Sequence, residues 1–155
     1  MQVQEILDRK GNQVYVIGPD CSVREAAARI AAWNIGAALV TDSENVLLGI
    51  ISERDFLRAL NKFGGGVLDL QVSVLMTRSV VTCAPETTIS DALSQMGLHH
   101  IRHLPVVRDG KILGLISVRD VLEFRLEVLE EQGWERRYGH ASVPTSTDDP
   151  AAPSR

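Results

Sequence analysis

Cysteine, positive charge and long apolar runs are all scarce in this chain. Its two cysteines, Cys21 and Cys83, show no CxxC spacing and have no second thiol near either. That excludes a disulfide framework and a zinc cluster, and makes two reduced, partly buried thiols the expectation. Sixteen basic residues stand against twenty acidic ones, a net charge of −4 with pI near 5.5, so no overall positive field is present to hold nucleic acid or an anionic membrane. Trp33 and Trp134, without a basic patch around them, read as packing or interface residues rather than stacking platforms. The apolar runs Val46-Leu47-Leu48 and Gly49-Ile50-Ile51 fall far short of the about 20 residues that cross a bilayer. Glu5, Asp8 and Arg9 break any secretory signal, so the chain is expected in the cytoplasm. What remains, 155 residues with 45% hydrophobic and 23% charged, is an ordinary globular composition. A domain of that size buries about 70% of the surface its unfolded chain exposes.

The organising feature is an internal repeat. Pro19-Asp20-Cys21-Ser22-Val23-Arg24-Glu25-Ala26 falls on Pro85-Glu86-Thr87-Thr88-Ile89-Ser90-Asp91-Ala92 at an offset of 66. After a one-residue deletion the offset becomes 65, and Gly49-Ile50-Ile51-Ser52-Glu53-Arg54-Asp55 falls on Gly114-Leu115-Ile116-Ser117-Val118-Arg119-Asp120. Upstream, Val3 to Leu7 matches Val72 to Met76 at an offset of 69, so the first copy carries three extra residues near Lys10-Gly11-Asn12. Insertions of that kind sit in loops.

Each copy reads as strand, helix, strand, strand, helix after a short helical lead-in. Val14 to Ile17 and Val80 to Cys83 are β-prone runs closed by proline. Ser22-x-x-Glu25 and Thr88-x-x-Asp91 are capping boxes, and the apolar stripes behind them have the i, i+3, i+4, i+7 spacing of one buried helix face. Ala37 to Thr41 and His103 to Val107 read as strands, each turning back through Gly49 or Gly114 as a hairpin. A last helix follows Ser52 or Ser117, the second extending to about Gln132 with Gly133 as its stop. The expected organisation is a first repeat over 1–60, a Gly-rich flexible linker over 61–71, a second repeat over 72–132 and a tail over 133–155, disordered from 139.

The most specific signal is Gly-h-Ile-Ser-x-Arg-Asp, with h apolar, present in both copies. Ser-x-x-Asp is itself a capping box, so Ser52 with Asp55 and Ser117 with Asp120 account for a helix start without any ligand. The intervening Arg54 and Arg119 are not explained that way, because the helix dipole disfavours a cation at an N-terminus. An arginine beside free backbone donors suits an anion, and the carboxylate suits two adjacent hydroxyls such as those of a ribose. His99 and His103 are four apart, but the strand pattern begins at about His103. The two imidazoles are therefore not expected on one helical face, and no metal site is assigned.

These residues resemble the paired cystathionine-β-synthase (CBS) domains, or Bateman module, over about residues 1 to 130. The resemblance rests on Val-Leu-Met-Thr at 74 to 77, the two Gly-h-Ile-Ser-x-Arg-Asp elements and Ile101-Arg102-His103-Leu104-Pro105-Val106. It implies an α+β fold of two β-α-β-β-α repeats related by a pseudo-twofold axis, with two clefts that bind adenosine-containing ligands. Carried over, Asp55 and Asp120 would hold ribose hydroxyls, and Ser52 and Ser117 would sit near ribose and phosphate. Arg54, Arg119, Arg102 and His103 would lie on the phosphate side, and backbone around Tyr15-Val16 and Val81-Thr82 would face the adenine. The first copy departs from the pattern, with Ala37-Ala38-Leu39-Val40 in place of His103-Leu104-Pro105-Val106, so the two clefts are expected to be chemically unequal.

No nucleophile with its base, carboxylate pair or metal set has a convincing spacing, so no enzyme is expected. The expected role is a non-catalytic regulator that takes AMP, ADP, ATP or an NAD-like ligand and signals to an effector protein in trans or through its own assembly. A ligand-free interaction scaffold is the alternative, and a nucleotide-processing enzyme a more distant one. From Val118 to Leu129 the apolar residues, Phe124 among them, exceed one buried face. That surplus points to a homodimer.

Overall fold

In the computed structural model, which describes residues 1–139, the elements follow in the order α1 (Val3–Lys10), β1 (Val16–Ile17), α2 (Val23–Trp33), β2 (Ala37–Thr41), β3 (Leu47–Ser52), α3 (Glu53–Phe63), a 3-10 helix (Gly64–Asp69), α4 (Val72–Leu75), α5 (Ile89–Leu98), β4 (His103–Arg108), β5 (Lys111–Ser117) and α6 (Val118–Tyr138). The chain divides into Met1–Val121 and Leu122–Arg155. In the first unit, Ser22 Oγ accepts from the Glu25 amide at 3.2 Å and Thr88 Oγ1 from the Asp91 amide at 3.0 Å, opening α2 and α5 where the sequence marks them. Each such cap contributes about 1 kcal/mol.

β1 runs parallel to β2, pairing Val16 with Leu39, and β2 is antiparallel to β3. β4 and β5 form the matching antiparallel pair of the second repeat, Leu104 against Ile116 and Val106 against Gly114. The strand expected over Val80 to Cys83 is not there; only Cys83 bridges Val106 in parallel. The reason is one residue. In the first repeat the Leu39 amide donates to the Tyr15 carbonyl at 3.0 Å. The residue equivalent to Leu39 is Pro105, which has no N–H to give the Val81 carbonyl, so the ladder stops.

The lead-in helices are exchanged between the repeats. On α1, the Val3 amide donates to the Thr87 carbonyl and the Gln4 amide to Pro85, both at 2.9 Å, while Ile89 donates to Met1 at 3.1 Å. Around α4 the same three bonds recur at equivalent residues: Val72 to Cys21 at 2.8 Å, Ser73 to Pro19 at 3.0 Å, and Val23 to Leu70 at 2.8 Å. Val72 and Met76 accordingly lie in the first repeat's core with Ile17, Ala26, Ile30, Ala38, Val40 and Ile51. Two glycines allow the docking. A β-carbon on Gly49 would stand 2.7 Å from Met76 Sδ, and one on Gly114 would stand 2.6 Å from Leu7 Cδ2.

The Gly64-Gly65-Gly66 stretch, expected as a flexible connector, takes a regular helical conformation instead, and Val67 behind it is buried with Val23 and Ala59. One apolar side chain anchors the glycines. α6 runs through Gly133 to Tyr138 rather than stopping at Gln132, because a single helical glycine costs only about 1 kcal/mol and no proline follows closely. Within Leu122–Arg155, Leu122, Leu126 and Leu129 are 58%, 60% and 63% exposed, whereas Phe124 is 3% exposed. Phe124 is thus not part of the open apolar stripe. The tail expected to be disordered from 139 lies, from residue 140, outside the described residues.

Candidate functional site

Both Ser-x-x-Asp elements sit where a hairpin strand ends and a helix begins, which fixes each carboxylate against the backbone. At the end of β3, the Ser52 amide and hydroxyl both donate to Asp55 Oδ2, at 2.8 and 3.0 Å. At the end of β5, the Ser117 amide and hydroxyl donate to Asp120 Oδ2 at 2.6 and 2.9 Å, and the Asp120 amide returns a bond to Ser117 Oγ at 3.2 Å. The first amide of each helix is also taken, Glu53 by the Gly36 carbonyl and Val118 by the Arg102 carbonyl. The free backbone donors expected at these starts are therefore largely spent on the chain itself. Each carboxylate still directs its second oxygen elsewhere: Asp55 Oδ1 receives the Thr77 hydroxyl at 3.3 Å, and Asp120 Oδ1 accepts no hydrogen bond among the described residues.

The two carboxylates have different third partners. Thr77 is pinned on β3 by two backbone bonds, its amide to the Ile50 carbonyl at 2.9 Å and the Ile50 amide to its own carbonyl at 3.0 Å. On the other repeat a single ammonium contacts both the strand carbonyl and the carboxylate, the latter through the serine-bound oxygen rather than the outer one. Lys10 Nζ donates to the Leu115 carbonyl, the equivalent of Ile50, at 2.8 Å and to Asp120 Oδ2 at 2.8 Å. Lys10 and Thr77 are site residues to which the sequence analysis gives no role, although Thr77 closes the Val-Leu-Met-Thr run at 74 to 77 and Lys10 begins the three-residue insertion.

Arg54 is exposed and donates to the His100 carbonyl at 3.0 Å, bridging the repeats. Arg102 and Arg119 are exposed, Arg102 just before β4 and Arg119 on the first turn of α6. His103 fills the space beside Gly36, where a β-carbon would come within 3.2 Å of its Cε1 and Nε2. Burial is the main influence holding its imidazole below the ordinary value; Lys10 and Arg102 act the same way, while Asp120 and Glu53 oppose it. Those influences gather His103, Arg102, Lys10, Asp120 and Glu53 in one neighbourhood. Tyr15 stacks on Trp33 with ring centroids 4.9 Å apart, so Trp33 packs, as its lack of basic neighbours suggests. Val16 and Thr82 are exposed and Val81 is half-buried. His99 ends α5 while His103 begins β4, so the pair shares no helix. Among the described residues no helix is long and apolar enough to cross a membrane.

A family model described as CBS domain matches residues 3–62 and 71–127. The crystal structure of a CBS-domain containing protein from Agrobacterium tumefaciens is 42% identical, over 80% of this chain and 92% of that one, with a TM-score of 0.78. An uncharacterized 17.7 kDa protein of Acidianus ambivalens is 36% identical over 117 residues, 75% of this chain and 70% of that protein. The CBS domain pair of protein MJ0100, crystallised in complex with 5′-methylthioadenosine and S-adenosyl-L-methionine, is alike in fold at 23% identity, with a TM-score of 0.73 over 83% of this chain and 98% of that one.

Proposed function

The chain belongs to the CBS-domain family, and from that premise we propose that it is a non-catalytic regulatory module that binds adenine nucleotides at Asp55 and Asp120. The observation that carries this reading is the duplicated Ser-Asp pair. Each carboxylate is held rigid by its own serine through one oxygen while the other faces away from that cap. A preset acceptor of this kind suits the two hydroxyls of a ribose and loses little ordering entropy on binding. The likeness in fold to the MJ0100 pair, whose complex contains adenosine-based ligands, supports the same ligand class. Arg54, Arg102, Arg119 and His103 are assigned to the phosphate side, and backbone at Tyr15-Val16 and Val81-Thr82 to the adenine. The free thiols Cys21 and Cys83 fit a reducing cytoplasm. Output passes to an effector protein through a change in conformation or in packing between two copies, with the exposed leucines of α6 as the seam.

The second reading, an interaction scaffold, is favoured by the completeness of the caps: Ser117 and Asp120 satisfy one another in both directions. Native mass spectrometry of the purified protein, followed by a thermal-shift panel of AMP, ADP, ATP, NAD and S-adenosyl-L-methionine, separates the two. Ligand at 100 times its Kd adds about 2.7 kcal/mol to stability. A flat response to the panel, with no co-purified mass, overturns the regulatory reading. Asp120→Ala that lowers the melting temperature but leaves affinity intact favours the scaffold.

A further inference from the structure

The two carboxylates are set in different electrostatic surroundings by two pairs of equivalent positions and by one pair of residues, Thr77 and Lys10, that are not equivalent in the repeat. Where the first repeat offers Asp55 the neutral hydroxyl of Thr77, the second offers Asp120 the ammonium of Lys10. Where the first has Gly36 and Ala37, the second has Arg102 and His103. The Lys10 side chain is 32% exposed and reaches Asp120 from the last turn of α1. Thr77 is fastened by backbone bonds to Ile50, whereas Lys10 holds its place through the tip of a flexible side chain.

From this we propose that Lys10 is a specificity-determining residue that gives the Asp120 site a stronger preference than the Asp55 site for an adenosine ligand carrying an anionic 5′ group. The inference rests on the adenosine-binding reading and deepens it. A ribose hydroxyl takes Asp120 Oδ1, which accepts no bond from the described residues, while the ammonium on Oδ2 stays in place beside the ligand. A phosphate or carboxylate on C5′ then meets Lys10 with Arg102 behind it, a charge-assisted contact unavailable to adenosine. With the uncharged nucleoside the ammonium on Oδ2 draws charge from the carboxylate and weakens Oδ1 as an acceptor, with no ligand anion to compensate. At the Asp55 site the corresponding partner is the neutral Thr77 hydroxyl on Oδ1, which brings no charge to an anion and can turn its proton away when a sugar hydroxyl takes that oxygen.

The test is calorimetric titration of the full chain with adenosine and with AMP, on the wild type, Lys10→Met and Thr77→Val. Wild type is expected to bind AMP at two sites and adenosine well at only one. Lys10→Met should weaken AMP at one site by about tenfold, the loss of about 1.4 kcal/mol, and leave adenosine at that site unchanged or tighter. Thr77→Val should not alter the preference between the two ligands. Circular dichroism and a melting curve establish that each variant folds, and Lys10→Arg, which keeps the cation, should retain the AMP preference. If Lys10→Met binds AMP as the wild type does, or loses adenosine in equal measure, Lys10 is a structural ion pair and the inference fails while the ligand class stands. If the wild type binds neither compound, the adenosine-binding reading fails and takes this inference with it.

Discussion

Leu7 on α1 closes on Gly114 in the middle of β5 so tightly that a β-carbon there would lie 2.6 Å from Leu7 Cδ2. The helix at the start of the first repeat is thus seated on the sheet of the second, and Met76 on Gly49 is the reciprocal contact. The repeats hold each other by exchanged pieces of chain.

Substituting these glycines should therefore cost stability by overpacking, typically about 1–3 kcal/mol. Gly49→Ala is expected to cost more than Gly114→Ala, because it also meets the Thr77 carbonyl at 2.9 Å, and backbone yields less than a leucine tip. Leu7→Ala combined with Gly114→Ala should recover part of the loss in a double-mutant cycle, read by urea unfolding. Additive losses would mean that the contact is not the cause.

The repeat, the caps, the hairpins and the Ser-Asp pairs were legible because each leaves a short-range trace: an offset, a spacing, a glycine. The exchange of α1 and α4 was not, since an offset of 69 reads the same whether a lead-in packs on its own repeat or on the other. The missing strand at Val81 was legible in principle from Pro105, whose absent amide breaks the ladder across a separation of 24 residues. Lys10 escaped because its role arises only when α1 is carried over to Leu115 and Asp120. Residue type gave no warning of it. Phe124 counts in sequence among the surplus apolar residues of α6 yet is covered, because periodicity in a helix apolar on several sides does not say which side is covered.

The half-buried imidazole of His103 makes stability pH-dependent with a definite sign. Its folded pKa lies below the ordinary 6.5, chiefly through burial. The unfolded chain therefore takes up a proton that the folded chain resists, and unfolding is favoured by acid. The contribution is complete above pH 6.5 and is lost as pH falls through that value toward the depressed folded pKa. Melting curves between pH 5 and 8 should show the wild type losing more stability on acidification than His103→Gln. Parallel curves for the two proteins would contradict this account of His103.

If α6 forms the seam of a homodimer, the residues to change are Leu122, Leu126 and Leu129, not Phe124. Leu126 is 60% exposed, and burying such a side chain at an interface is worth about 1.5–3 kcal/mol. Leu126→Glu should yield folded monomers by light scattering at micromolar concentration. Phe124→Glu, at a position only 3% exposed, should instead lower the melting temperature. A wild type that is monomeric with and without nucleotide refutes the seam.

The central claim, that Asp55 and Asp120 are ribose-binding carboxylates, is tested most directly by AMP calorimetry on the Asp55→Asn/Asp120→Asn double variant beside the wild type. Asparagine keeps the shape and one acceptor for the serine cap while removing the charge. The account predicts clear AMP binding by the wild type and an affinity at least about tenfold weaker in the double variant, a loss of about 1.4 kcal/mol or more, with the fold preserved. AMP binding undiminished in the double variant, or absent in the wild type, would contradict it.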